Sequence, residues 1–255
     1  VLRLAAVSGR RFGLDELVAL REGDEEGVLS ALEEALAARV VEEEPAAPGR
    51  YAFSHALIRE TLLGEMSAAR RARLHARMGR ALESLLGDAA EGRAAELLHH
   101  FVQAEPVLGP APVVRYATLA GDAALRARAY DEAAARYRQA LAARGDGPVD
   151  DEAAHIHFGL GRALLAHREL PDLDEAVASL QLAFDHRVAA GDVAGALEIA
   201  CHPLTPHLMY GPTGVARLVA RALELAPPDS PEASRLLSTS GWLAGINGAD
   251  ADAAR

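Results

Sequence analysis

Few residues of this chain could do chemistry, and the first group lies in the segment RYAFSHALIRETLL, residues 50–63. Tyr51, Ala52 and Phe53 are typical of a strand, and the apolar residues after His55 have helical spacing. We expect Ser54 to cap this helix, which places His55 in its first turn. Free amide groups and the positive end of the helix dipole favour an anion there, so His55 could contact a phosphate. The alternative is a histidine that packs beneath the neighbouring hairpin.

Two other groups carry metal-ligating side chains. Glu96 and His100 share one helical face, but His99 points elsewhere and no third ligand has a suitable spacing. Cys201 and His202 have the same weakness, so we interpret both groups as packing or surface residues.

A basic stripe on one helix is either a solvated face or a docking surface for an acidic partner: Arg70, Arg73, Arg77 and Arg80.

Composition excludes several classes of function. All 26 basic residues among the 255 are arginine, so a phosphate-binding loop of the GxxxxGK[ST] type is impossible. The net charge of −11 argues against direct nucleic-acid binding. No catalytic arrangement of serine, histidine and carboxylate stands out. We therefore expect a segment that is not an enzyme, with no metal and no cofactor of its own.

Localisation is predicted from the same composition. No apolar run is long enough to span a membrane, and the single cysteine fits a reducing cytoplasm. Neither end of the chain has the character of a natural terminus, so we read it as a piece of a longer protein.

The elements that must position these residues are mostly helices. Leucine and alanine dominate and aromatic residues make up only 4%, which favours an all-α fold. Residues 2–7, 14–20 and 25–39 read as helices, with Asp24 as the cap of the third. Residues 40–44 and 51–53 flank a turn-rich segment and predict a β-hairpin. Three helices followed by a hairpin is the order of a winged helix, which we assign to residues 1–66.

The third helix of a winged helix normally enters the DNA major groove, but here it is acidic. It and the hairpin carry Glu25, Glu26, Glu33, Glu34, Glu42, Glu43 and Glu44. These carboxylates would repel phosphates, so we expect no DNA binding by this element.

Residues 67–112 read as connecting helices, 67–86 after a cap at Ser67 and then 93–104, with a break at 105–112. Residues 113–255 read as helix pairs whose spacing resembles tetratricopeptide repeats. The clearest copy has Gly121, Ala124, Ala133, Tyr137 and Ala140, where small residues let helices approach and Tyr137 fills the gap. A second copy has Gly161, Leu164, Ala176, Leu180 and Ala183, if 169–172 is an insertion. Later pairs carry Ala196 and Ile199, then Leu218, Ala222 and Leu225, then Leu236, Leu237 and Trp242.

Longer stretches resemble a known family. LAAVSGRRFGLDELVAL, VLSALEEALAARVVEEEP and YAFSHALIRETLLGEMSAARRARLHARMGRALE are similar to the winged-helix end of STAND-class signalling ATPases. AAELLHHFVQAEP and AAARYRQAL resemble the helical repeats that follow it. The closest groups are the large ATP-binding LuxR-type transcriptional regulators and the bacterial adenylate cyclases with an AAA-like ATPase module.

The resemblance implies a regulatory segment of a cytoplasmic multidomain protein. An upstream nucleotide-binding domain would hold ATP or ADP, and His55 would contact the β-phosphate of ADP. A small molecule or protein inducer on the repeats would favour an open, ATP-bound form that oligomerises. The first expectation for the parent is a LuxR-type transcriptional regulator. The alternatives are the same module in an adenylate or guanylate cyclase, and a free-standing repeat scaffold for protein–protein interaction.

Overall fold

The computed structural model describes residues 1–166, 173–202 and 213–253. These residues are mostly helical, with one small antiparallel sheet, as the composition predicted. The chain divides into two units, Val1–Tyr116 and Ala117–Arg255. Within the described ranges, every helix is too short or too polar to cross a membrane.

The first unit begins with three short helices around a small sheet. The helices are α1 (Leu2–Ser8), α2 (Leu14–Leu20) and α3 (Glu25–Ala37), and the strands are β1 (Arg11–Gly13), β2 (Val41–Glu43) and β3 (Arg50–Phe53). The Asp24 carboxylate accepts the N–H of Gly27 at 3.1 Å, which confirms the predicted cap of α3.

The sheet has the strand order β1-β3-β2, and both pairs are antiparallel. The predicted hairpin of β2 and β3 is therefore confirmed, but strand β1 was not predicted. Three residues are too few for an alternating pattern to be recognised. Phe12 of β1 nevertheless lies at the centre of the core, with its ring centroid 5.4 Å from that of Phe53.

Three further helices follow in the first unit. They are α4 (Ala56–Gly64), α5 (Ala68–Leu86) and α6 (Ala94–Leu108), with a 3-10 helix at Gly87–Arg93 between the last two. The Ser67 hydroxyl accepts the N–H of Arg70 at 3.3 Å and caps α5 as predicted. The predicted end of α6 near Ala104 is wrong, because the helix continues through Pro106 to Leu108. Pro106 cannot donate a backbone hydrogen bond to Val102, but the turn after it still closes, with Gly109 N–H donating to the Glu105 carbonyl at 2.8 Å. The buried Phe101 and Ala104 hold the helix in the core.

The second unit consists of helices that pack against their neighbours in sequence. Helix α7 (Ala111–Arg126) enters it, followed by α8 (Tyr130–Arg144), α9 (Asp151–Ala166), α10 (Leu173–Ala189), α11 (Val193–Ala200), α12 (Thr213–Leu225) and α13 (Pro231–Ala253). Contacts join α8 to α9, α9 to α10, α10 to α11, α11 to α12 and α12 to α13. The predicted insertion at 169–172 lies outside the described residues.

Glycines set the spacing of these helices. Tyr137 is fully buried between Gly121 of α7 and Gly159 of α9. A Cβ atom on Gly159 would lie 2.3 Å from Tyr137 Cζ, and one on Gly121 would lie 2.9 Å from Cε1. A Cβ atom on Gly161 would likewise lie 2.7 Å from Leu180 Cδ2 of α10. The packing predicted for Gly121 and Tyr137 is therefore present.

The pattern predicted for the last helix is only partly right. Leu236 is buried as expected, but Leu237 is 61% exposed and Trp242 is 39% exposed. Adjacent leucines lie about 100° apart around a helix, so both cannot face the same neighbour.

Candidate functional site

His55 is the residue immediately before helix α4. Its backbone is extended, with φ −135° and ψ 138°, and its side chain makes no capping hydrogen bond to the amides of the first turn. The predicted cap at Ser54 is wrong: its hydroxyl donates to the carbonyl oxygens of Arg39 at 2.8 Å and Val40 at 3.0 Å. Ser54 thus ties the end of β3 to the segment before β2, and this leaves His55 at the N-cap position.

The imidazole of His55 is exposed, as is the neighbouring Leu57. Burial beneath the hairpin, the alternative considered for this histidine, is not what the structure has. The side chain lies at the positive end of a nine-residue helix, where an anion is favoured. Contact with a nucleotide phosphate stays a prediction.

The arginine stripe on α5 is exposed along its length, as the solvated-face interpretation requires. Arg77 differs from the others because its guanidinium donates to the carbonyl oxygen of Leu20 at the end of α2. This contact fastens α5 to α2, a pair that also shares packing contacts. At least one member of the stripe is therefore structural.

The pair at 99 and 100 splits as predicted: His99 is exposed and His100 is 1% exposed. Sequence reasoning missed the partner, His75 of α5, whose Nδ1 lies 3.0 Å from Nδ1 of His100. The two positions are 25 residues apart, and only the packing of α5 on α6 brings them together.

This contact is a hydrogen bond if one Nδ1 carries a proton and donates it, while the other Nδ1 is unprotonated and accepts the bond. Burial lowers the pKa of His75 to about 4, and His99, Arg59 and Arg71 add to the effect. The pKa of His100 is lowered to about 3. Burial is the main cause, and the charges of His75 and His99 add to it. Within the described ranges, no three histidine, cysteine or carboxylate side chains are placed to hold a metal ion.

Sequence reasoning also missed a cluster of polar side chains in the second unit. This cluster joins three helices. Asp122 Oδ1 of α7 accepts the Tyr137 hydroxyl of α8 at 2.6 Å, and His155 Nε2 of α9 lies 3.0 Å from the same oxygen. The hydrogen bond to Asp122 raises the pKa of His155. Burial opposes ionisation of Asp122, but its bonds to His155 and Tyr137 lower the carboxyl pKa overall.

This group resembles a catalytic arrangement only in its residue types. Tyr137 is fully buried, and burial together with the bond to Asp122 raises its pKa. Its hydroxyl is therefore held protonated and away from solvent, unlike an activated nucleophile. The arrangement orients His155 and stabilises the contact between α7, α8 and α9.

Cys201 and His202 occupy the end of α11, both half-buried. Burial raises the pKa of the Cys201 thiol, and the negative charge of Glu232 raises it further. The reactive thiolate is therefore disfavoured. Burial and then Arg162 lower the pKa of His202 to about 4. These are the properties of packing residues.

Comparison of the chain with protein-family models, with curated proteins and with solved structures finds no match.

Proposed function

We propose that the chain is the regulatory and sensor segment of a multidomain STAND-type ATPase of the LuxR-type transcriptional regulators. Residues 1–66 would form a winged-helix lid over the nucleotide domain, and the helices after Pro112 would form a solenoid that senses the inducer. The order α1-β1-α2-α3-β2-β3 supports the lid, and the close fit of Tyr137 between two glycines supports repeat-like packing.

The observation that carries the proposal is the position of His55. Its exposed imidazole stands at the start of α4, next to first-turn amides with which it makes no capping hydrogen bond. A neutral imidazole there can donate to the β-phosphate of ADP held by an upstream domain, which would latch the closed form. The latch acts only in the closed state, so losing it shifts the population toward the open form.

The expected effect of removing this latch follows from its hydrogen bond. A hydrogen bond to a charged group contributes about 1.5–3 kcal/mol, so its loss multiplies the open fraction roughly ten- to a hundred-fold. His55→Ala in the full-length parent should accelerate ADP release and raise activity without inducer. His99→Ala, another exposed histidine in the same unit, is the matched control. Unchanged ADP release in His55→Ala would contradict the latch.

The parent is identified by the coding sequence on either side. A GxxxxGK[ST] motif upstream supports the ATPase reading. A helix-turn-helix downstream favours the transcriptional regulator, whereas a cyclase domain favours the adenylate or guanylate cyclase alternative. A gene that encodes neither would favour the free-standing repeat scaffold, which is consistent with the exposed Leu237 and Trp242 of α13.

The proposal assigns no catalysis and no DNA binding to this segment. The exposed glutamates of α3 and β2 would repel a phosphate backbone. The purified chain should release no phosphate from ATP above buffer, and it should not shift random duplex DNA at low salt. Turnover that a point mutation in this chain abolishes, or a salt-sensitive gel shift, would overturn these assignments.

A further inference from the structure

A cleft in the second unit lies between helices α9, α10 and α11. Its volume is about 260 Å³. Its lining includes apolar atoms from Ala154, Phe158 and Ile199, and charged groups from His155, Arg162, Arg187, Asp192 and Glu198. The size is below the range of roughly 300–1,000 Å³ that drug-sized ligands occupy, so the cleft suits a small molecule.

Arg162 is the unusual residue of this cleft. Its Nε atom is buried and has no hydrogen-bond partner. Across the parts of the chain that the structure describes, no carboxylate forms an ion pair with its guanidinium, which instead lies 5.3 Å from the ring centroid of Phe158. Arg162 as a whole is half-buried, and the free-energy cost of leaving its buried Nε donor without an acceptor favours an added anion.

The other cations of the cleft are already engaged. Arg187 pairs with Asp192 at 3.3 Å and with Asp151 at 3.5 Å, and His155 is bonded to Asp122. Among the cations that line the cleft, Arg162 is therefore the one without an ion pair in the described residues, while Glu198 adds a negative charge to the same lining.

The charge balance selects the kind of anion. The planar guanidinium matches a carboxylate through two parallel hydrogen bonds. Glu198 lines the same cleft, and its charge opposes a phosphate dianion more strongly than a monoanion. The ring of Phe158 offers an apolar surface beside the charged group. We propose that the Arg162 cleft binds a small monocarboxylate with an apolar or aromatic body.

The role of this carboxylate as an inducer rests on the proposed function, but its binding does not. Binding is measured on the 255-residue chain alone, whereas the switch is measured by ADP release from the parent. Carboxylate binding with no effect on ADP release would retain the site and reject the sensor. If the chain does not bind the carboxylate but the His55 latch is intact, the carboxylate site is rejected and the nucleotide switch is retained.

Benzoate is the probe, titrated at constant ionic strength and followed by heteronuclear NMR. We expect saturable shifts, at least tenfold weaker binding in Arg162→Gln, and no binding of the neutral analogue benzamide. Phenyl phosphate should bind more weakly than benzoate. Arg136→Gln is the matched control, because Nε of Arg136 is also buried without a partner but its other nitrogens contact Glu132 and Gln139. This variant should bind benzoate as the original chain does.

Circular dichroism and thermal melting check that each variant is folded. If Arg162→Gln unfolds, Arg162→Lys replaces it, since it keeps the charge and loses the two-pronged geometry; we expect binding several-fold weaker. No saturable binding to the original chain, or undiminished binding to the folded variant, would overturn the proposal. Equal binding of benzamide, or tighter binding of phenyl phosphate, would overturn the assignment to carboxylates.

Discussion

Histidine lies at several helix interfaces of the described residues, and two of these interfaces shift its pKa in opposite directions. Between α5 and α6, His75 contacts His100, and burial lowers the pKa of both. Between α7 and α9, His155 contacts Asp122, and its pKa is raised.

The difference lies in the partner and in solvent access. His75 and His100 are almost fully buried and contact each other, and the charges of Arg59 and Arg71 also act on His75. A proton would therefore add charge to a cationic, poorly solvated site. His155 is half-exposed and faces a carboxylate, so a proton completes an ion pair. The first interface is therefore held by neutral imidazoles and the second by charged groups.

The largest effect should come from the residue that builds the second interface. Tyr137→Ala removes a fully buried ring that fits between Gly121 and Gly159, and it leaves Asp122 without its hydroxyl donor. We expect a loss of about 3–5 kcal/mol in the free energy of unfolding, measured by urea denaturation. Tyr130→Ala on the same helix is the control, and an equal loss in both would show that Tyr137 has no special packing role.

The first interface should be sensitive to acid. The folded-state pKa values of His75 and His100, about 4 and 3, lie below their ordinary value of 6.5. Their stabilising contribution is thus present above pH 6.5 and is lost as the pH falls toward 4. We expect a loss on the order of 2–3 kcal/mol per histidine between pH 7 and 4.5, from about 1.4 kcal/mol per pKa unit.

Melting temperatures across this pH range test the expectation. His100→Leu removes one buried titrating group and should flatten the pH dependence strongly. His99→Ala removes only a neighbouring charge that lowers both pKa values, so it should reduce the pH dependence slightly. The same slope in all three chains would place the acid-sensitive groups elsewhere.

How well the sequence predicts the structure differs between the long helices, the short strands and the side-chain contacts. Helices with long apolar patterns and a capping residue, such as α3 after Asp24 and α5 after Ser67, could be placed closely. Strand β1 could not, because its three residues are specified by pairing with β3, which is distant in sequence. His55 was singled out as a residue near a helix start, with burial and phosphate contact left as alternatives. The bond of its neighbour Ser54 to another segment is not predicted by any local rule.

The polar contacts of the interior were the least predictable. His75 and His100 belong to different helices, and Asp122, Tyr137 and His155 to three. Tyr137 was found through its spacing from glycine, a packing signal that gives no information about its hydroxyl. Such groups become visible only after the helices have been packed.

A smaller effect should separate the ring of Tyr137 from its hydroxyl. Tyr137→Phe keeps the ring between the two glycines but removes the 2.6 Å hydrogen bond to Asp122. Because the acceptor is charged but keeps His155 as a partner, we expect a loss of about 1.5 kcal/mol in unfolding free energy. A loss as large as that of Tyr137→Ala would mean that the hydroxyl, not the ring, stabilises this interface.

The smallest effect on stability, and the most direct test of the contrast, concerns His155. Its folded-state pKa is raised by Asp122, so its stabilising contribution is present below pH 6.5 and is lost as the pH rises through the folded value. Half the side chain is exposed, so the pair should contribute less than about 1 kcal/mol to the free energy of unfolding.

NMR titration should place the pKa of His155 above 6.5 and those of His75 and His100 well below it in the same spectra. Asp122→Asn should lower the pKa of His155 and leave those of His75 and His100 unchanged, since Asp122 is not among the groups that shift them. If His155 titrates at the same pH with and without the Asp122 carboxylate, the ion pair is not what distinguishes the two interfaces.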